Sequence, residues 1–176
     1  MKQCSNLVAD RTLGQYWERQ FCCMAANFGF MFSPLQIGRS TSAMAYKGKA
    51  FNCFTLPDIT IWTFPGQHHE IKHKNPTHTG EFGLEVYRFD ALVAFAQETR
   101  QDVMYTIHNH DLAGGRKIRT NRISDWVTAS VLDLATARSR TANGTSWVNG
   151  EAKYVDIVYW PASLWHPLVD YWLECT

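Results

Sequence analysis

The sequence lacks several features that would assign it to a class directly. None of its five cysteines forms a Cys-x-x-Cys pair, which argues against a zinc finger or ribbon. No apolar run approaches the roughly 18 residues of a membrane helix, and the first residues carry no apolar signal core. The odd cysteine count, with Cys22 and Cys23 adjacent, is typical of reduced thiols. We therefore expect a soluble, cytoplasmic protein.

The chain also has little excess charge. Lysine and arginine number 17 against 16 aspartates and glutamates, for a net charge of +1. A protein that grips nucleic acid by broad electrostatics is usually more basic, so contacts of that kind must come from local patches. Apolar residues, by contrast, make up 45% of the 176 residues and aromatics 14%. This composition predicts one globular domain over residues 1–176.

Hydrophobic periodicity predicts alternating helices and strands. Leu13, Trp17, Phe21 and Met24 recur at spacings of four, four and three, which indicates a first helix over 12–27. The other predicted elements are strands near 50–55, 59–62, 67–73 and 103–108, helices over 83–100, 125–138 and 167–174, and a hairpin joining 147 to 154–160. This order predicts an α/β domain with a mixed central sheet flanked by helices, in which the 103–108 strand runs parallel to the 67–73 strand.

Two acids and a lysine stand at informative positions in this pattern. Asp58 opens the apolar run 59–62, and eleven residues separate it from Glu70, with Lys72 two residues further on. Residues i and i+2 of a strand share a face, so Glu70 and Lys72 point to one spot. Carboxylate oxygens suit Mg²⁺ or Mn²⁺, and a lysine beside them can position a water or steady charge on a phosphate. These groups together suit phosphodiester hydrolysis.

The arrangement resembles the PD-(D/E)XK nuclease superfamily, which includes many restriction endonucleases and archaeal Holliday-junction resolvases. The matching residues are Pro57-Asp58 and Glu70-Ile71-Lys72, followed by a predicted helix and strand. A further match is Gly14-x-x-x-Glu18 in the first helix, where members often carry a glutamate that joins the metal site. The resemblance covers about residues 12–111, and it implies a restriction-endonuclease-like core.

The resemblance also implies an activity, a cofactor and a partner. It implies a metal-dependent DNA endonuclease in which Asp58, Glu70 and the backbone carbonyl of Ile71 hold Mg²⁺, with Mn²⁺ as a substitute. Glu18 would be a further metal ligand and catalytic residue, and Lys72 would orient the attacking water. Nuclease domains this small often act as homodimers, and a phage or mobile element is an expected source.

A second group of residues is expected to contact the nucleic acid. Arg116, Lys117, Arg119 and Arg122 form the densest basic run, and two glycines before it permit close approach to a phosphate backbone. The expected contacts are His68, Lys74, Arg88, Arg116, Lys117, Arg119 and Arg122.

Less specific interpretations stay open. Each acid, taken alone, suits an ordinary strand turn or a solvated strand face. The fold could then serve as a non-catalytic module that binds nucleic acid or protein. The histidines at 68, 69, 73 and 78 leave room for a histidine-ligated metal hydrolase, with His69 and His73 opposite the face of Glu70. The tripeptide at 108–110 is expected to form a polar strand end, where His108 or Asn109 could contact substrate.

Overall fold

The computed structural model describes residues 3–34, 45–46, 49–50, 57–62, 66–113, 122–148 and 151–174. Three residues of the predicted basic run, Arg116, Lys117 and Arg119, lie outside these ranges, as does almost all of the strand predicted near 50–55.

Four α-helices, two short 3₁₀ helices and eleven strands make up the described part of the chain. The α-helices are α1 (Gln3–Asn27), α2 (Val86–Thr99), α3 (Val131–Thr136) and α4 (Leu168–Glu174). The strands are β1 (Met31–Pro34), β2 (Ala45–Tyr46), β3 (Lys49–Ala50), β4 (Ile59–Trp62), β5 (Gln67–Lys74), β6 (Glu81–Glu85), β7 (Asp102–Asn109), β8 (Trp126–Ser130), β9 (Arg140–Val148), β10 (Glu151–Pro161) and β11 (His166–Pro167). None of the described helices has the length and apolar character of a membrane span.

The main sheet has six strands in the order β1-β4-β5-β7-β8-β11. Its strands pair antiparallel except β5 and β7, which run parallel. The helix between β5 and β7 supplies the crossover that a parallel pair needs. The predicted mixed α/β sheet flanked by helices is therefore confirmed, including the parallel pairing of the 103–108 strand with β5.

Helices and a second sheet cover the two faces of the main sheet. On one face, α1 and α4 enclose a core built around three fully buried indoles, Trp17, Trp126 and Trp172. On the other face, α2, α3 and a three-stranded sheet of order β6-β10-β9 enclose a second core that includes Leu92, Tyr105 and Trp160. We call the first the α1 face and the second the α2 face.

Two of the predicted helices begin too early. Residues 81–85 form strand β6, which pairs with the far end of β10, and α2 starts only at Val86. Residues 126–130 form strand β8, and α3 starts only at Val131. Strand β8 lies between β7 and β11 and is buried on both faces. Such a strand reads as a continuous apolar run, which periodicity alone does not distinguish from a buried helix.

Candidate active site

The two predicted acids face each other across neighbouring strands. The β4–β5 ladder pairs Ile59 with His69 and Thr60 with His68, so continuing the register by one residue sets Asp58 opposite Glu70. Directly opposed residues of an antiparallel pair share a face. Both acids lie on the α2 face, and both are buried, with 7% of Asp58 and none of Glu70 exposed.

Two cations from different elements converge on these acids. Nζ of Lys72, from β5, donates to Oε1 of Glu70 and lies 4.0 Å from Oδ2 of Asp58. A guanidinium nitrogen of Arg88, from the first turn of α2, contacts the same Oε1 and lies 4.0 Å from Oδ1 of Asp58. The four side chains form one buried cluster with no formal net charge when all are ionised.

The backbone of Ile71 completes the cluster. Its N–H donates to Oδ2 of Asp58 at 2.7 Å, which ties the residue before β4 to the middle of β5. Its carbonyl accepts a hydrogen bond from Nζ of Lys72 at 3.2 Å. Asp58 thus has a structural role in joining the two strands as well as a place in the acid pair.

Burial and crowding change the protonation of the cluster. Burial raises the pKa of Asp58 to about 7, and repulsion from Glu70 adds to the effect, whereas Lys72 and Arg88 oppose it. Burial alone would lower the pKa of Arg88, but the negative charges of Glu70, Asp58 and Glu85 outweigh it and hold that pKa above its usual value. Asp58 therefore keeps its proton up to about neutral pH, while Arg88 stays charged.

The oxygen atoms of the cluster fit a hard divalent cation. Asp58 and Glu70 offer carboxylate oxygens and Ile71 a carbonyl, the ligand types that Mg²⁺ and Mn²⁺ prefer. Oε2 of Glu70 is buried and has no hydrogen-bond partner among the described residues. A buried acceptor without a hydrogen-bond partner lowers the stability of the folded protein, and a cation beside it would remove that loss.

The structure does not bring Glu18 to this cluster. Its neighbours in α1, Trp17 and Phe21, pack on the α1 face, where they contact His73 and His69. Nowhere in the described ranges do three or more His, Cys, Asp or Glu side chains gather in a way that could hold a metal. Asp58 and Glu70 form the acid pair that Lys72 and Arg88 contact, and the helix that supplies Glu18 packs on the opposite face of the sheet.

Sequence reasoning missed the ion pair that Arg88 makes with Glu70. Its expected contact with a nucleic-acid backbone stays a prediction. A signal was present, because Arg88 precedes Leu92 by four residues and Phe95 by seven, and both are buried. A cation on the buried face of a helix requires a buried partner.

Two other expected nucleic-acid contacts point into the protein. The ring nitrogens of His68 pair with Oγ1 of Thr60 at 2.9 Å and with Oε1 of Gln101 at 2.5 Å, and burial lowers its pKa. Nζ of Lys74 donates to the carbonyl of Gly83 at 2.6 Å, and burial lowers its pKa to about 8. These environments do not match the phosphate contacts expected of His68 and Lys74. Arg122 is exposed and directly precedes the turn that leads into β8.

Three histidines gather instead on the opposite side of the sheet. Nδ1 of His73 lies 2.9 Å from Nδ1 of His108, and the rings of His73 and His110 are tilted by 37° with their centroids 3.5 Å apart. Trp17 stacks on both His73 and His108.

Burial, assisted by the neighbouring His68, lowers the pKa of His69 to about 3. The predicted separation of His69 and His73 from the face of Glu70 is confirmed.

The fold is that of an α/β domain with a six-stranded mixed sheet flanked by helices. The structure is similar to that of Hjc, a Holliday junction resolvase from Archaeoglobus fulgidus, an archaeal hyperthermophile. The TM-score is 0.50 at 13% sequence identity, over 90% of this chain and 93% of the resolvase. No protein-family model and no curated protein matches the sequence. The restriction-endonuclease-like core predicted from the sequence is confirmed as a fold.

Proposed function

We propose that this protein is a divalent-metal-dependent DNA endonuclease built as a single nuclease domain. One observation carries the proposal: Asp58 and Glu70 oppose each other across β4 and β5, with Lys72 one step along the same face. The orphaned Oε2 of Glu70 and the similarity in fold to a Holliday junction resolvase support it. Mg²⁺ is the proposed cofactor, Mn²⁺ its substitute, and DNA the proposed partner.

The chain's own groups divide the work of the reaction. Asp58, Glu70 and the Ile71 carbonyl would hold the metal, which when bound polarises the phosphate and steadies the departing 3′ oxygen. Lys72 would hold the attacking water through Nζ, which already reaches the Ile71 carbonyl and Glu70. Water oxygen bonds to phosphorus, the bond to the 3′ oxygen breaks, and a proton from the water ends on that oxygen. The products are a 5′-phosphate and a 3′-hydroxyl.

The surrounding core would hold these groups in place. Asp58 is fixed by the Ile71 N–H, and Glu70 lies in a strand bordered on both sides by partners. A rigid arrangement of this kind lowers the reorganisation that a catalytic site must undergo during the reaction. The acid pair and Lys72 would therefore act from strands, while further substrate contacts would come from Arg122, which is exposed, and from Arg116, Lys117 and Arg119 of the basic run.

A plasmid-nicking assay with Mg²⁺, Mn²⁺ or EDTA tests this function. We expect cutting in either metal and none in EDTA. Asp58→Ala, Glu70→Gln and Lys72→Met should each lower cutting by at least about 100-fold, as loss of a metal ligand or water-positioning group does. Asp170→Asn, an exposed change on α4 behind the opposite face, is the matched control.

Folding of each variant is checked by circular dichroism and thermal melting. Folded Lys72→Met and Glu70→Gln proteins that cut like the wild type would remove the site assignment. DNA binding without cutting in any metal would instead favour the non-catalytic binding module. A histidine-dependent activity on esters or peptides would favour the histidine-ligated metal hydrolase.

A further inference from the structure

Arg88 contacts both of the acids that are proposed to hold the metal. Its guanidinium contacts Oε1 of Glu70 and lies 4.0 Å from Oδ1 of Asp58. Lys72 approaches the same acids from the other side, at Oε1 of Glu70 and 4.0 Å from Oδ2 of Asp58. The two cations therefore flank both acids, and each balances part of their negative charge.

Charge balance limits how a divalent cation can enter. When all four groups are ionised, the two carboxylates only balance the two cations, so a further double positive charge would meet two like charges at close range. Little water screens them, because Glu70 is fully buried and the Lys72 and Arg88 side chains are only 26% and 22% exposed. Repulsion between like charges is strong in such surroundings. Entry becomes favourable when one cation leaves the acids and a negative group arrives.

Of the two cations, Arg88 is the one free to leave. Nζ of Lys72 is also held by the Ile71 carbonyl at 3.2 Å. Nε of Arg88 is buried and has no hydrogen-bond partner in the described part of the chain. A guanidinium binds phosphate oxygens through two parallel N–H donors, which an ammonium does not. The arriving negative group that suits Arg88 best is the phosphodiester itself.

We propose that Arg88 is a substrate-binding residue that exchanges Glu70 for the scissile phosphate when a divalent cation takes its place on the acids. This inference rests on the proposed nuclease function. It makes metal and DNA binding mutually favourable, because each supplies the charge that the other needs. An arginine that only stabilised the fold would have no such effect on metal affinity.

Calorimetric titration of Mn²⁺ into the protein without DNA tests the exchange. We compare the wild type with Arg88→Met, which removes the charge, and Arg88→Lys, which keeps it. Arg88→Met should bind Mn²⁺ about tenfold more tightly than the wild type, within the usual range of coupling between sites. Arg88→Lys should bind it as the wild type does. Arg138→Met, an exposed arginine after α3, is the control for loss of one positive charge.

Plasmid cleavage at saturating Mn²⁺ tests the contact with phosphate. Arg88→Met should cut about 100-fold more slowly despite its tighter metal binding, and Arg88→Lys should recover part of the loss. If Arg88→Met matches the wild type in both Mn²⁺ affinity and cleavage rate, Arg88 is a structural ion-pair partner and the inference is overturned. If Arg88→Met does not fold, a wild-type cleavage rate in Arg88→Lys overturns it.

The two proposals fail in different ways. A wild-type protein that cuts no DNA in any metal overturns the proposed function, and the phosphate contact of Arg88 with it. The Mn²⁺ titration still decides the exchange in that case, because it requires no substrate. A wild-type protein that cuts DNA, with both Arg88 measurements unchanged by substitution, overturns only the inference about Arg88.

Discussion

The raised pKa of Asp58 makes the stability of the metal-free protein depend on pH in an unusual direction. The pKa rises from an ordinary 3.8 to about 7 on folding, so between these values the folded protein keeps a proton that the unfolded chain has lost. The free energy of unfolding therefore falls as pH rises through this window. Three pH units, at about 1.4 kcal/mol each, correspond to about 4 kcal/mol.

Replacing Asp58 with asparagine removes this contribution and keeps a side-chain oxygen for the Ile71 N–H. Other groups titrate in the same range: the lowered pKa values of His68 and His69 make stability fall as pH falls below about 6.5. The wild type and Asp58→Asn share these histidines, so the difference between their free energies of unfolding does not contain the histidine effects. From pH 4 to pH 8, the wild type should lose up to about 4 kcal/mol relative to Asp58→Asn.

Urea unfolding in EDTA, followed by tryptophan fluorescence at half-unit steps of pH, measures this difference. Asp170→Asn controls for removal of one exposed carboxylate, and its profile should run parallel to that of the wild type. Parallel profiles for the wild type and Asp58→Asn would show that Asp58 ionises in its ordinary range. The reasoning from burial and crowding of the two acids would then be wrong.

Three further predictions concern packing and a buried lysine. Gly83→Ala should destabilise the protein by about 1–3 kcal/mol, because a Cβ at this position would lie 2.6 Å from the ring of Tyr159. Gly14→Ala in α1 should instead stabilise the protein by about 0.5–1 kcal/mol, because the added Cβ meets no atom within 4 Å. Trp17→Ala should cost about 3–5 kcal/mol by urea unfolding and Trp17→Phe clearly less; equal losses would contradict the role of indole packing. Burial lowers the pKa of Lys74 to about 8. The free energy of unfolding of the wild type should therefore rise between about pH 8 and pH 10.5 relative to that of Lys74→Met. A difference between the two proteins that stays constant over this range would contradict the burial of Lys74.

The local sequence pattern was sufficient to predict the two strands that bring the acids together. An apolar run after Asp58, a Pro-Gly pair at 65–66 and alternation around Glu70 and Lys72 specify two strands and the faces of their side chains. Apolar residues of the first helix recur with the 3.6-residue period of an α-helix, and this spacing specifies both the helix and its buried side. The predicted convergence of Asp58, Glu70 and Lys72 follows from these short-range rules, and the structure brings the three together.

Only tertiary structure decided which residues join them. Arg88 reaches the acids because α2 crosses over the α2 face, and α1 with Glu18 packs on the other one. Strand β6 exists because it pairs with β10, more than 70 residues along the chain, and no local pattern encodes that partner. Short-range periodicity determines which side of its own element a side chain occupies. The packing of distant elements determines what lies opposite, and with it the charge and the burial of the site.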